Sequence, residues 1–227
     1  MNNAGLKTSI SGPKNIICPQ CNFMFETIPL KISKPKLLIV EGRDEEFFFC
    51  SLIEHLGINN IQVAGIGGKD KLRMNLKGLI KDPAFPRVIS FGVVRDADTD
   101  PAAAFQSVRE SLRASGLPYP KKPLVLAQGM PRVSVMIIPS HKRRGALEDL
   151  CLGAVSEDPA FICVDEYFNC LDQQEIDKTK NLSKAKVRVF LASRQDPTLS
   201  LGISAQKGYW PFDSNAFSRV KRFLTAL

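Results

Sequence analysis

From Leu37 onward, short apolar runs alternate with segments in which apolar residues recur every three or four positions. This alternation is typical of an α/β fold, in which helices flank a mostly parallel central sheet. We expect strands at residues 37–40, 61–66, 88–94 and 133–138. The run 88–94, VISFGVV, is almost continuously apolar, as expected for a central strand that is covered on both faces.

Polar residues next to these runs predict where the helices begin. Asp44 can cap the helix after the first strand, and Asp100 followed by Pro101 predicts the start of a helix that continues through Leu112. A further helix should begin near Ala146, and the last third of the chain, from Glu157, is mostly helical in pattern. Residues 1–34 do not share this alternation, so we expect an N-terminal appendage, followed by an α/β domain with a helical C-terminal extension at 35–227.

Composition narrows the class of protein. The chain has 227 residues, of which 44% are hydrophobic, which is enough for one well-buried domain. Its formal net charge of +8 favours polyanionic partners, so DNA or RNA is the expected ligand. No apolar run approaches the roughly 20 residues that a membrane helix needs, and the first residues lack the apolar middle of a secretory signal. We therefore expect a soluble, cytoplasmic protein without a membrane partner.

The cysteines do not predict a disulfide scaffold. Cys18 and Cys21 are the only closely spaced pair and form one zinc knuckle, whereas a tetrahedral structural site needs four ligands. A zinc ion shared across a homodimer and a metal-free remnant are both open, and the remnant is the favoured interpretation. The other four cysteines lie in apolar or helix-like stretches, where buried free thiols are expected: Cys50, Cys151, Cys163 and Cys170.

Carboxylates follow two of the predicted strands. Glu41 comes after the first strand, and Asp96 and Asp98 come after the third. The carboxyl ends of parallel strands share one edge of a sheet, so these acids should converge there. Carboxylates held close together repel one another unless a cation neutralises them, which favours Mg²⁺ or Mn²⁺. Glu148 and Asp149, after the fourth strand, could complete the cluster.

Three other motifs resemble the segment DADTD but do not fit it. An EF-hand loop needs Gly at its sixth position and Glu at its twelfth, where this chain has Pro101 and Ser107. A phosphoaspartyl hydrolase has its Asp-x-Asp after the first strand, with a Thr where this chain has Asp100. The segment GGKD at 67–70 lacks the outer glycine and the Ser/Thr of a nucleotide P-loop.

Three motifs, LLIVEGRDEEFF, VVRDADTD and GALEDL, together resemble a Toprim domain over about residues 35–150. The Glu-Gly-x-x-Glu form is similar to the version found in OLD-family nucleases, and the whole chain, including AQKGYWPFD, is similar to small stand-alone bacterial Toprim proteins related to them. The resemblance implies a Toprim-like, Rossmann-like sheet. It also implies that five acids bind metal: Glu41, Glu45, Asp96, Asp98 and Glu148.

The resemblance further implies two-metal hydrolysis of phosphodiester bonds, with Glu41, Asp96 and Asp98 as catalytic residues. Glu41 could instead act as a general acid or base, the role proposed in Toprim topoisomerases. OLD nucleases use a lysine late in the domain. Lys207 is the candidate here, either to stabilise charge on the phosphorane or as an ordinary surface lysine.

Substrate contacts are expected from basic residues next to this acidic edge. The loop 141–144 directly precedes Glu148, and its charges could bind phosphates or simply be solvated. Three aromatic residues near the C-terminus could stack on bases, although core contacts are the commoner role: Tyr209, Trp210 and Phe212. The candidate nucleic-acid-binding residues are Lys69, Lys142, Arg143 and Arg144.

Two functions follow. The first is a metal-dependent nuclease acting on DNA or RNA, in phage defence or DNA repair, as the OLD resemblance suggests. The second is a nucleic-acid-binding module that is non-catalytic or cuts only with a partner, such as a separately encoded ATPase. Topoisomerase and primase are disfavoured because the chain has no room for strand-passage domains or for the accompanying primase domains.

Overall fold

A computed structural model describes residues 31–177 and 179–227. A four-stranded sheet lies at its centre, every neighbouring pair of strands is parallel, and the strand order is β2-β1-β3-β4. The strands are β1 (Lys36–Val40), β2 (Ile61–Gly65), β3 (Ser90–Asp96) and β4 (Arg132–Ile138). The predicted α/β class with a parallel sheet is confirmed.

Eight α-helices surround the sheet in the described part of the chain, and five of them follow β4, which confirms the helical C-terminal region. The helices between strands are α1 (Arg43–His55), α2 (Leu72–Leu79) and α3 (Pro101–Ala114). The helices after β4 are α4 (Leu147–Ala154), α5 (Pro159–Gln173), α6 (Leu182–Ala192), α7 (Leu201–Gln206) and α8 (Ser218–Ala226).

The two faces of the sheet carry separate apolar cores. Along β1, Leu38 and Val40 belong to the core that is shared with α1 and the C-terminal helices, whereas Leu37 and Ile39 belong to the core under α2 and α3. Side chains alternate between faces in a strand, so a strand with both faces covered must be apolar throughout. This explains why the strands could be predicted from their apolar sequences.

The third strand differs from its prediction at both ends. It begins at Ser90 rather than residue 88, two residues after a 3₁₀ turn at Phe85–Arg87. It continues to Asp96, which pairs with Ile138 of β4. Asp96 is therefore the last residue of a central strand, and the sheet fixes the direction of its side chain.

Helix capping follows the prediction at Asp100 but not at Asp44. The Asp100 carboxylate accepts hydrogen bonds from the N–H groups of Ala102 and Ala103 at 2.9 and 3.0 Å, which caps α3. Asp44 does not cap α1, because it lies inside the first turn of that helix, after the N-cap residue Gly42. Its carboxylate instead accepts hydrogen bonds from residues at the start of α7 and so joins α1 to α7.

The cysteine prediction is right for two residues and wrong for two. Cys50 and Cys151 are buried, as expected. Cys163 and Cys170 are free but exposed, since α5 buries only the side of the helix that carries Val164 and Phe168. The predicted Cys18/Cys21 knuckle lies outside the described residues.

The residues just before β1 pack against the edge strand β2. Ile32 is buried, and the Gln62 side chain accepts a hydrogen bond from Ser33 N–H and donates one to the Lys31 carbonyl. The remainder of the predicted appendage lies outside the described residues, so the division at residue 35 stays a prediction. Within the described ranges, no helix has the length and apolar character needed to cross a membrane.

Candidate functional site

Glu41 and Asp96 meet at the carboxyl edge of the sheet. They come from neighbouring parallel strands: Glu41 follows the last residue of β1, and Asp96 ends β3. The backbone N–H of Asp96 donates a hydrogen bond to Glu41 Oε1 at 3.1 Å. The convergence that the strand ends predicted is therefore present for these two residues.

Asp98 is placed by the loop that follows β4. Its backbone exchanges two hydrogen bonds of 2.9 Å with Gly145, which ties the loops after β3 and β4 together. Asp98 has a left-handed backbone with φ of 49°, a conformation that Asp tolerates better than most residues. Its carboxylate oxygen Oδ2 lies 3.2 Å from Lys69 Nζ, so one of the predicted phosphate-binding residues contacts an acid.

The start of α4 faces Asp96. Asp96 Oδ1 accepts a hydrogen bond from the N–H of Leu147, at 3.1 Å, in the first turn of that helix. Gly145, with φ of +127°, leaves room for the Asp149 carboxylate at the start of this helix, because a Cβ at Gly145 would lie 2.5 Å from Asp149 Oδ2. The positive end of the α4 dipole therefore points at the most buried acid of the edge.

A cleft next to this edge contains the two remaining predicted acids. It encloses about 460 Å³ between the first turns of α1, α4, α6 and α7. Glu45 of α1 and Glu148 of α4 both line the cleft. Arg43 and Lys184 add positive charge to its wall. The lining residues are Arg43, Asp44, Glu45, Leu147, Glu148, Lys184 and Leu201.

Burial and mutual repulsion disfavour the charged forms of these carboxyls. Burial, together with the charges of four nearby acids, raises the pKa of Asp96 to about 9: Glu41, Glu45, Glu148 and Asp98. Burial also raises the pKa of Glu41 and of Glu45, against the lowering effect of Arg95 on Glu41. The five predicted metal ligands thus form one electrostatically coupled set in which acids outnumber the basic side chains that contact them.

Two basic side chains partly balance this set. Arg95, a buried residue of β3, has Nε 3.0 Å from Glu41 Oε1, as an ion pair rather than an aligned hydrogen bond. Lys69 performs the same role at Asp98. Arg95 holds the Glu41 carboxylate beside Asp96, although no motif in the sequence identified this arginine as part of the site.

The donor set is chemically suited to a hard divalent cation. Carboxylate oxygens are the ligands that Mg²⁺ and Mn²⁺ prefer, and a bound cation would favour the ionised form of Asp96. Among residues 31–177 and 179–227, however, no three His, Cys, Asp or Glu side chains already surround a common point as ligands. The acids therefore fit the ion in type and location, and coordination would require side-chain rearrangement.

Comparison with known proteins places the chain in a family. Residues 35–227 match the family model described as "Protein of unknown function (DUF3226)". The chain belongs to the DUF3226 family. The match begins one residue before β1 and includes every strand and helix in the described part of the chain. No curated protein matches the chain.

Solved structures of the C-terminal region of the Xanthomonas campestris pv. campestris OLD protein are similar to this DUF3226 chain. The form phased with mercury is 17% identical, with a TM-score of 0.39, and covers 77% of this chain and 93% of the other. The form phased with platinum is 16% identical, with a TM-score of 0.41, and covers 83% and 96%. At this level of likeness, function has to be argued from the residues of the DUF3226 chain itself.

The lysine that lines the cleft is Lys184 rather than Lys207. Lys207 is exposed and follows the last residue of α7, at the opposite end of that helix from Leu201, which lines the cleft. Lys184 lies in the first turn of α6. The segment 178–188 holds several lysines without a motif, so the sequence offers no signal that would single out Lys184. The predicted role of Lys207 stays a prediction.

The C-terminal aromatic residues build the core. Trp210 is 1% exposed, stacks on Phe190 with ring centroids 5.5 Å apart, and donates its indole N–H to the Leu201 carbonyl. Phe212 is buried, and the Tyr209 hydroxyl accepts a hydrogen bond from the Asp196 N–H. Of the two roles considered for these residues, the structure shows core contacts, which hold α7 against α6 and α1.

The basic loop 141–144 is exposed and lies beside the Asp98–Gly145 bridge. Its first residue, His141, has Nδ1 2.8 Å from a guanidinium nitrogen of Arg219 in α8. Partial burial, then the charges of Arg219 and Lys142, lower the pKa of His141, so near neutral pH the imidazole is neutral and can accept from Arg219. The loop is thus next to the acidic edge, as expected, and its contacts with nucleic acid stay predicted.

Proposed function

We propose that this protein is a magnesium- or manganese-dependent phosphodiesterase acting on nucleic acid, of the Toprim/OLD nuclease type. The observation that carries the proposal is the contact between Glu41 and Asp96 at the carboxyl edge of two central strands, with Asp98, Glu45 and Glu148 coupled to them. Such a concentration of acids is costly in a fold unless a cation uses it. The motif resemblance to OLD-type Toprim domains supports the same chemistry.

Each part of the site has a task in this proposal. Glu41, Asp96 and Asp98 on the sheet edge and Glu45 and Glu148 on the helices would hold the ions. Bound Mg²⁺ would supply activation of the attacking water and stabilisation of the leaving oxygen. Arg95 positions Glu41 through the 3.0 Å ion pair, and Lys184 in the cleft wall can neutralise a phosphate oxygen. Lys69 contacts Asp98, and a cation bound by Asp98 would leave the Lys69 ammonium group available for a phosphate oxygen.

The test is a cleavage assay with purified protein on supercoiled plasmid, single-stranded DNA and RNA, with Mg²⁺, with Mn²⁺ and with chelator. Asp96→Asn and Glu41→Gln should abolish metal-dependent cleavage. Glu110→Gln, a change at an exposed acid of α3, is the matched control and should cleave like the wild type. Cleavage that persists in both site variants would overturn the assignment of the site.

Nucleic-acid binding without cleavage by the wild type would point to the alternative function, a module that depends on a separately encoded ATPase. Adding candidate ATPases to the same assay then distinguishes a partner-dependent nuclease from a purely binding module. In the first case, cleavage appears with the partner and is still lost in Asp96→Asn. In the second, no combination cleaves.

A further inference from the structure

A second cavity lies on the other side of the basic loop, between α8 and the segment that precedes β4. It encloses about 310 Å³. Leu124, Leu126 and Phe223 give it apolar walls, and Arg219 and Arg222, one helical turn apart on α8, bring two guanidinium groups to it. Ser134 of β4 adds a hydroxyl group. We call this cavity the α8 groove.

The sheet itself shapes the α8 groove. Ser134 pairs in register with Gly92 on β3, so two small residues stand side by side on the face that α8 covers. A Cβ at Gly92 would lie 2.9 Å from a side-chain carbon of Leu227, so the absence of a side chain lets the end of the chain pack directly on the strand. Because strand residues and a buried contact define it, the groove is a preformed feature.

The two segments of sequence that supply most of the α8 groove contain no acids. Residues 111–147 include seven Lys or Arg and no Asp or Glu, and residues 214–227 include three Lys or Arg and again no acid. In contrast, residues 145–177 hold nine Asp or Glu and no Lys or Arg. Positive charge is therefore concentrated where the groove lies, which favours an anionic ligand there.

The α8 groove is continuous with the loop beside the acidic edge. The guanidinium group of Arg219 donates to Ser140 Oγ at 2.9 Å and contacts His141 at 2.8 Å. The same loop is joined to Asp98 through Gly145. From Ser134 to the carboxyl end of β4 at Ile138 is four residues, or about 13 Å. A bound strand with a phosphodiester at the acidic edge would pass the groove within about four nucleotides.

From these observations we propose that the α8 groove is a nucleotide subsite, which holds a base and phosphate of the strand whose neighbouring phosphodiester lies at the acidic edge. The inference rests on the proposed function for the identity of the strand. Guanidinium groups one turn apart suit phosphate oxygens, and the leucine and phenylalanine walls suit the face of a base. The volume lies at the lower end of the range of about 300–1,000 Å³ for ligand pockets, which suits a single nucleotide rather than a duplex.

The test measures binding and does not need cleavage. Fluorescein-labelled oligothymidylates of increasing length are titrated with full-length wild-type protein, Arg222→Ala and Arg73→Ala, all in chelator. Arg222 and Arg73 are both exposed arginines on helices, but Arg73 lies on α2 under the opposite face of the sheet. We expect Arg222→Ala to weaken binding about 5- to 10-fold and to reduce the slope of log K against log salt by about 1, and Arg73→Ala to change neither.

A second measurement locates the strand. Oligonucleotides carrying one 5-iodouracil are photo-crosslinked to wild-type protein, and the crosslinked peptides should contain residues 124–126 or 219–227. Crosslinks only elsewhere, or equal binding by Arg222→Ala and wild type, would overturn the subsite. Displacement of the oligonucleotide by dodecanoate but not by thymidine monophosphate would overturn it in favour of an acyl carboxylate ligand. Since none of these readouts involves cleavage, a failure of the nuclease proposal would be seen separately, as lack of metal-dependent cutting.

Discussion

Neighbouring acids in the first turns of α1 and α4 have different tasks. Asp44 and Asp149 bind hydrogen-bond donors of other helices: Asp44 accepts from the Ser200 hydroxyl and Gly202 N–H of α7, and Asp149 accepts from the Ser183 hydroxyl of α6. Glu45 and Glu148, one residue away in each case, line the cleft. The shorter acid joins two helices, and the longer one reaches the candidate metal centre.

This comparison separates carboxylates that stabilise the fold from carboxylates that cost it stability. Asp44 and Asp149 fix α7 and α6 around the cleft, so the walls of the site depend on them. The acids of the centre are buried and repel one another, as the raised pKa values of Asp96, Glu41 and Glu45 indicate. Substitutions should therefore affect either stability or metal-dependent activity, according to which kind of acid they change.

The largest effect is expected at Asp96. Asp96→Asn removes the buried carboxylate that faces the start of α4 and leaves the backbone contact with Glu41 in place. We expect metal-dependent cleavage to fall at least about 100-fold, as for the loss of a principal ligand. The folded state should be retained, because the amide can still accept from Leu147. Cleavage rates and circular dichroism spectra of Asp96→Asn and Glu110→Gln check both expectations.

A change on the fold side of the comparison should act on stability. A methyl group at Gly202 would overlap the carbonyl oxygen of Asp44, so Gly202→Ala should lower the free energy of unfolding by about 1–3 kcal/mol. Gly78 in α2 has open space around it, and Gly78→Ala should raise that free energy by about 0.4–1 kcal/mol. Urea unfolding measures the free energy of unfolding of both variants. Equal changes at the two glycines would contradict the close contact of α1 and α7.

The pH dependence of stability sharpens the same comparison. Asp96 has a pKa of about 9 in the folded chain and near 3.9 in the unfolded chain. At pH values between these two, the Asp96 carboxyl is protonated in the folded chain and ionised in the unfolded chain. The free energy of unfolding of the metal-free protein should therefore decrease as pH rises through this window, by up to about 1.4 kcal/mol per pH unit between about pH 5 and 8.5. Asp96→Asn should show a flatter profile in urea titrations with chelator, and a profile that rises in the wild type would be incompatible with a buried, repelled carboxyl.

The pair on α4 gives the smallest stability difference. Asp149→Ala leaves the Ser183 hydroxyl and the Ala146 N–H without this acceptor and should cost about 1–2 kcal/mol. Glu148→Ala should change stability by less than about 0.5 kcal/mol but weaken Mn²⁺ binding. Thermal unfolding measures the stability of the two variants, and Mn²⁺ titration measures their metal affinity. A larger stability loss in Glu148→Ala than in Asp149→Ala would refute the different roles of the two acids.

The sequence predicted the sheet edge because its physics is local. Parallel strands that are buried on both faces must be apolar, and their carboxyl ends share one edge, so Glu41 and Asp96 could be brought together without a structure. The cap at Asp100 was equally local, since a carboxylate followed by proline satisfies its own helix.

Contacts between distant segments were not predictable in this way. The Asp44 carboxylate accepts a hydrogen bond from Ser200, 156 residues later. A capping pattern in the sequence cannot show that this carboxylate binds the start of α7 instead of its own helix. The same holds for Lys184 in the cleft and for the exposed cysteines of α5, because which face of a helix is covered depends on its tertiary neighbours. Arg95 was missed since a charged residue within an apolar strand has no motif of its own.

The most direct test of the acidic centre is the affinity of the purified protein for Mn²⁺, measured by electron paramagnetic resonance of the free ion near neutral pH. Wild type and Glu110→Gln should bind Mn²⁺ equally, and Mg²⁺ should compete. Asp96→Asn should bind at least about tenfold more weakly. Undiminished binding in Asp96→Asn, or no binding by the wild type, would contradict the assignment of this sheet edge as a metal centre.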